Sequence, residues 1–587
     1  MKQFYLLCNM LFAVTTLFSQ NNKIITFFEK SNYLETPRYD STISFCKQLA
    51  KVSAIIHYSS FGESPEGREL PLLIADKDKL TNPELIKKTG RAILLIQACI
   101  HAGECDGKDA GLMLFRDFIA NPEISKLLNN VTVVFIPIYS VDGHERFSAF
   151  NRINQNGPKE MRWRTNANNL NLNRDYIKAE APETKAWLTL FNKWNPDFFI
   201  DCHVTDGADY IYPLTYGLEI NGNMDSNLTN WQKNTYLPYV TNAMEKSGNP
   251  IFPYVSFREW HDIESGLESW VTPPLLSQGY TAIANCPGLL IETHMLKDYK
   301  TRVFATYKML VYTLEVLNNS GKELLKFEQI ANDFSSTEKF RKTPFPLSFE
   351  YSKDSVLIDF KGKEFTKEIS DLSGGLWFKF GSDYKDYKLP YFNNLKPTSF
   401  AQLPEYYIVP RQYAFIEEIL KSHNIKYFKI NYDTTLSANT YKFKNVTLGT
   451  SSNEGHQKVQ SFEMDIITLN LKLIHGSIVI PMNQEKSKII AHLLEPKSPA
   501  SLLQWGYFNS IFEQKEYGES YILEPLAREM LKDTLIKSGF EKEVKNNPNF
   551  PNDPYAMLNW FYTHSKYKDE QQNIYPIVKV YNGKIRN

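Results

Sequence analysis

The chain has 587 residues, and its 66 Lys+Arg are balanced by 66 Asp+Glu. A net charge of zero excludes a nucleic-acid protein held by whole-chain positive charge. Hydrophobic residues at 42% and charged residues at 22% exclude a disordered or collagen-like chain, and this length supplies several cores without disulfide staples.

Met1-Lys2 is followed by the mostly apolar run Phe4–Phe18 and then by Ser19-Gln20 before polar residues. This reads as a secretory signal peptide over 1–20, so the protein is expected to be exported, to a periplasm or the extracellular space. No later run reaches the roughly 18 apolar residues of a membrane span. Cys8 leaves with the signal, and the remaining five cysteines contain no CxxC. Neither a disulfide framework nor a cysteine zinc site is expected.

Residues 21–60 read as helical. From about 68 to 320, the apolar runs Leu70–Ala75, Ala92–Cys99, Val131–Pro137, Phe198–Cys202 and Gly288–Glu292 alternate with the helix-like segments Gly107–Ala120, Glu183–Trp194 and Arg302–Leu317. That alternation predicts an α/β domain over 21–320 with a largely buried sheet. Residues 205–285, rich in Gly, Asn, Pro and Tyr, are expected to be a binding region rather than packed core. Strand-like segments then run from Ser355–Phe360 to Ile466–Leu469, interrupted by a helix at Phe415–His423. Two further helices are expected at Ser501–Glu513 and Tyr521–Lys532. Residues 321–587 therefore read as a β-rich and helical accessory region.

Three apolar runs end in polar clusters: His101-Ala102-Gly103-Glu104, Asp201-Cys202-His203 and Glu292-Thr293-His294. Ligands of α/β sheets gather outside the carboxyl ends of the strands. In a turn entering a helix, the spacing of His101 and Glu104 points an imidazole and a carboxylate at one ion, and His203 adds a second imidazole. Two imidazoles and one carboxylate form a catalytic zinc set with an open position, so one Zn2+ per chain is expected. Glu292 has no cation beside it in sequence and can serve as general base. Arg162-Trp163-Arg164 and Asn171-Leu172-Asn173-Arg174-Asp175 supply guanidinium forks for a carboxylate and an oxyanion. Cys202 and His203 are adjacent on a strand, hence on opposite faces, and do not form a nucleophile pair. His294 is expected to be structural or to support the ligands from behind.

Over about residues 50–320 this pattern resembles the zinc metallocarboxypeptidase family of the carboxypeptidase A type. The resemblance implies a mixed central sheet with helices on both faces, and a peptide substrate. It implies His101, Glu104 and His203 as zinc ligands and Glu292 as the catalytic base. It implies Arg164 at the oxyanion, and Asn173 with Arg174 on the substrate's terminal carboxylate. The family's aspartate behind the first zinc histidine is replaced here by Asn171. Its substrate-binding tyrosine is assigned to Tyr280, with Tyr254 and Tyr210 as alternatives. The expected function is that of an exported zinc carboxypeptidase. A peptidoglycan amino-acid hydrolase or N-acyl amino acid deacylase, and an inactive binding module, stand as the alternatives.

Overall fold

The computed structural model describes residues 24–582 and Ile585, so the expected signal peptide lies outside the described residues. Among the described residues no helix is long and apolar enough to cross a membrane. The first nine strands are β1 (Ile56–Glu63), β2 (Glu69–Ala75), β3 (Ala92–Ala98), β4 (Val131–Ile136), β5 (Phe198–Thr205), β6 (Leu214–Leu218), β7 (Ile251–Pro253), β8 (Leu267–Glu268) and β9 (Gly288–His294). All but β8 form one eight-stranded sheet in the order β1-β2-β4-β3-β5-β9-β6-β7. Its centre, β4-β3-β5-β9, is parallel. Antiparallel pairs flank that centre, β1-β2-β4 on one side and β9-β6 on the other.

The central strands are apolar without alternation because both faces are covered. On one face Phe198 and Ile200 join the core of Leu112 and Val303, which come from helices α2 (Asp106–Ala120) and α5 (Tyr299–Ser335); α1 is Tyr39–Val52. On the other face Phe199 packs on Trp187, 5.8 Å between ring centroids, and Trp187 lies 6.1 Å from Tyr280. Those rings belong to α3 (Pro182–Trp194) and α4 (Ser277–Ile283).

Helix α2 lies flush on the sheet because it carries glycine where the sheet comes closest. A Cβ on Gly107 would fall 2.2 Å from Cys202 Cβ. An interior glycine costs about 1 kcal/mol of helix propensity, less than pushing the helix off the strand that bears His203. The long helix α5 starts at Asp298, whose carboxylate accepts the Thr301 backbone N–H at 2.9 Å.

Residue 320, where the sequence reading ends the catalytic domain, lies inside α5, and the first compact unit continues through Gln402. That unit also takes in Glu418–Ile425 and Asn483–Leu493. It includes β10 (Phe345–Tyr351), β11 (Val356–Ile369), β12 (Leu376–Phe392) and β13 (Leu395–Ala401). Part of the expected loose region 205–285 is in fact packed: Tyr210, Tyr212 and Phe257 surround Phe360 of β11 with ring centroids 5.8–5.9 Å apart.

The second unit holds a six-stranded sheet built on the hairpin Thr434–Leu448 and Val459–Leu473, with Tyr406–Val409, Ile478–Pro481 and Val578–Val580 among its other strands. The β-rich and helical character expected after 321 is therefore present. Ser501–Glu513 is not an α-helix; only Asn509–Phe512 forms a 3-10 turn there. Ser520–Met530 is helical, and so are Thr534–Asn546 and Pro554–His564.

Candidate metal centre and active site

The candidate pair His101 and Glu104 sits just beyond the end of β3. Cys99 has φ +59°, in the left-handed region that non-glycine residues rarely adopt. Such strain costs on the order of 1–3 kcal/mol and is concentrated at functional sites; here it turns the chain so that His101 and Glu104 fold back together. Gly103 is needed for close approach, since a Cβ there would meet the Arg162 carbonyl at 2.5 Å.

His101 Nδ1 lies 3.1 Å from Glu104 Oε1, and His203 Nδ1 lies 3.0 Å from Glu104 Oε2. One ligand atom from each of the three lies within 4.8 Å of the others, and all three residues are buried. The far nitrogens are also engaged. His101 Nε2 is 3.1 Å from Asn171 Oδ1, and His203 Nε2 is 2.9 Å from Asp201 Oδ2. Asn171 Oδ1 and Asp201 Oδ2 can accept the Nε2 protons, so that a metal ion between the rings and Glu104 would take the Nδ1 lone pairs. Asp201 is itself fixed by Ser277 Oγ at 2.5 Å and Gln97 Nε2 at 3.0 Å.

Burial lowers His101 to about 4, leaving it neutral. Burial would also lower His203, but Asp201, Glu104 and Glu292 together outweigh it and raise His203 well above its ordinary value. Burial alone would raise Glu104, yet His101 and Arg152 hold it well below the usual carboxylate range. Burial pushes Glu292 up to about 8, opposed by His203 and reinforced by Glu104. Without a metal His203 is therefore held protonated between Asp201 and Glu104, and zinc binding would displace that proton to leave two neutral imidazoles and one ionised carboxylate.

Glu292 reaches the site through strand register. His203 of β5 is the direct partner of Glu292 on the parallel strand β9. Both residues line a cavity of about 200 Å³ with His101, Glu104, Arg164 and Arg174. Asn173 lines it too; its side-chain oxygen accepts the Ser277 backbone N–H at 3.2 Å, and its Nδ2 is 3.5 Å from His203 Nε2. Arg174 Nη1 donates to the Asn173 backbone carbonyl at 2.7 Å. Arg164, 45% exposed, approaches Glu104 Oε1 to 3.8 Å.

Tyr280 is not brought to this cavity. Its ring is fully buried among Trp187, Tyr176 and Phe191, and its hydroxyl meets His423 Nδ1 at 2.8 Å. Closeness in sequence to Glu292 does not carry over, because α4 turns that ring into the core beneath the sheet. Tyr254 does line the cavity, with its hydroxyl 3.4 Å from Thr205 Oγ1. Tyr210 is buried against His294, ring centroids 4.2 Å apart.

Two residues were not singled out from sequence. Arg152 donates to Glu104 Oε1 at 2.6 Å and carries φ +55°, but it sits in an irregular loop that no pattern marks. Asp201 had a usable signal: two residues before His203 on a strand, it must share that residue's face.

Residues 42–271 match the family model described as zinc carboxypeptidase, a peptidase among the hydrolases. Glu292 lies beyond the matched segment, and its place rests on the geometry above. Among characterised relatives, carboxypeptidase 2 of Trichophyton rubrum is 22% identical over 496 residues, covering 80% of this chain and 84% of that protein. Carboxypeptidase 2 of Trichophyton equinum is 21% identical, with 80% and 84% covered. Among solved structures, carboxypeptidase A from Helicoverpa armigera is 16% identical, covering 55% of this chain and 82% of that one, with a TM-score of 0.38. A metallo-carboxypeptidase from Burkholderia cenocepacia is 18% identical, covering 49% and 71%, with a TM-score of 0.37.

Proposed function

We propose that this protein is an exported zinc carboxypeptidase that removes residues from the free C-terminal ends of peptides. The observation that carries this reading is one cavity lined by His101, Glu104 and His203 together with Glu292, Asn173, Arg164 and Arg174. His101 Nδ1, Glu104 and His203 Nδ1 would hold the zinc. When bound, zinc supplies a Lewis acid for the scissile carbonyl and lowers the pKa of a water.

The remaining roles fall to the chain's own groups. Arg174 and Asn173 hold the substrate's terminal carboxylate, the guanidinium through paired charge-assisted hydrogen bonds. Arg164, at the cavity's open side, donates to the oxygen on which charge develops. Glu292, buried beside His203, takes the proton of the attacking water and returns it to the leaving amine. Tyr254, rather than Tyr280, is the tyrosine placed to meet the substrate.

The test is a peptide series read by mass spectrometry. Single residues should be released from free C-termini, and amidation should suppress that release sharply. Arg174→Ala should weaken cleavage of free peptides and narrow the gap between free and amidated ones. Equal cleavage of both by the wild type would refute recognition of a terminal carboxylate.

A further inference from the structure

Arg152 sits in the irregular chain between β4 and β5, and three features aim its guanidinium at Glu104. Its backbone stands at φ +55°, which residues with a side chain rarely adopt. Gly103 leaves room for its stem: a Cβ there would fall 2.7 Å from Arg152 Cγ and 2.8 Å from its Cδ. The buried Gln155 accepts the Arg152 Nε–H at 3.2 Å, and is itself fixed by donating to the Gly103 and Gly157 carbonyls, each at 3.1 Å. Arg152 Nη2 then donates to Glu104 Oε1 at 2.6 Å.

Both oxygens of Glu104 are thereby shared. Oε1 faces His101 Nδ1 and Arg152, while Oε2 faces His203 Nδ1 and accepts the Val204 backbone N–H at 3.1 Å. Glu104 is the one carboxylate in the set of three candidate ligands, and a guanidinium beside it is always charged. The Arg152 side chain is 17% exposed and that of Glu104 2%, so water screens the pair poorly. At an effective dielectric constant of 20 such charges interact roughly fourfold more strongly than in bulk water. A cation that draws on this carboxylate competes with a metal ion for the same negative charge. The catalytic roles proposed above make no use of Arg152.

We propose that Arg152 is a positioning residue that offsets the charge of Glu104, so that the site holds zinc less tightly than two imidazoles and an unpaired carboxylate would. The inference rests on the zinc reading of this site. Asn171 acts in the same direction, because behind His101 it offers an amide oxygen where a carboxylate would make the ring a stronger donor. A weakly held ion exchanges with its surroundings, and the loaded fraction of the protein then follows the zinc supply.

The test is competition for zinc with a chromophoric chelator at neutral pH, in the absence of peptide. Arg152→Met keeps most of the stem and removes the charge; Arg152→Asn removes both and suits the left-handed backbone. Each should bind zinc about 10–100-fold more tightly than the wild type, the range over which partners of a ligand move metal affinity. Arg152→Lys restores a point charge and should return the affinity most of the way. Arg164→Met should change it less than about fivefold, because that guanidinium stands 3.8 Å away and is 45% exposed. Thermal melts of the zinc-free proteins confirm folding. Folded Arg152→Met and Arg152→Asn proteins that bind zinc no more tightly than the wild type would leave Arg152 as a tether of its loop and overturn the inference, with the zinc reading intact. Tightening that Arg152→Lys fails to reverse overturns it too, since charge would then not be the cause. Absence of zinc binding in every form sinks the zinc reading and the inference together.

Discussion

Asp201→Asn isolates the contribution of the residue behind His203. Asp201 is fully buried, and its Oδ2 takes the His203 Nε2 proton at 2.9 Å. The amide keeps the shape and an acceptor oxygen but removes the charge that makes His203 a stronger donor. Loss of such a partner typically weakens metal affinity 10–100-fold, about 1.4–2.7 kcal/mol. Ser277 Oγ and His203 Nε2 can both donate to the amide oxygen, while the new NH2 faces Gln97, whose own amide must flip to accept it. The reciprocal variant, Asn171→Asp, adds a charge behind His101, where only an amide oxygen stands at 3.1 Å. It should tighten zinc by less than about tenfold, since the new carboxylate is itself buried and costly to desolvate. Zinc affinities of the three proteins are compared by competition with a chromophoric chelator at neutral pH, with thermal melts to confirm folding. A folded Asp201→Asn protein with wild-type zinc affinity would refute the idea that Asp201 tunes the site.

Glu292→Gln should bind zinc normally and lose about 10²–10⁴-fold in turnover, because an amide cannot take the water's proton; retention of wild-type kcat would move the base elsewhere. Tyr254→Phe should lower kcat/KM, whereas Tyr280→Phe should leave peptide cleavage intact and cost about 1–3 kcal/mol of stability by stranding buried His423 Nδ1. The reverse pattern in steady-state kinetics would restore Tyr280 to the substrate. His423 also predicts acid lability. Its Nε2 faces the Ile177 carbonyl at 2.9 Å, and burial holds it near 4 in the fold, against an ordinary value of 6.5. The unfolded chain therefore binds the extra proton first as pH falls from about 6.5 to 4, and stability drops across that window. His423→Gln should flatten the drop in chemical-denaturation curves recorded at each pH, and an unchanged slope would count against it.

The parts of the site legible in the sequence are those encoded by short spacing or strand position. His101 and Glu104 lie three residues apart in one turn, and His203 and Glu292 close apolar runs that become adjacent parallel strands. The alternation of apolar runs and helical segments likewise specified a buried sheet, because a strand covered on both faces must be apolar throughout. Asn171, three residues before Arg174, could be recognised as a departure from the family's aspartate. Other features depend on where irregular chain and helix faces come to rest. Tyr280 is nearer Glu292 in sequence than Tyr254 is, yet only Tyr254 lines the catalytic cavity, because the orientation of a seven-residue helix follows from packing against Trp187 and His423. Arg152 meets Glu104 from 48 positions away along a loop without periodicity. Local pattern determined which side chains can do chemistry, and long-range packing decided which of them share a cavity, because burial and partners are properties of the assembled sheet and not of any one segment.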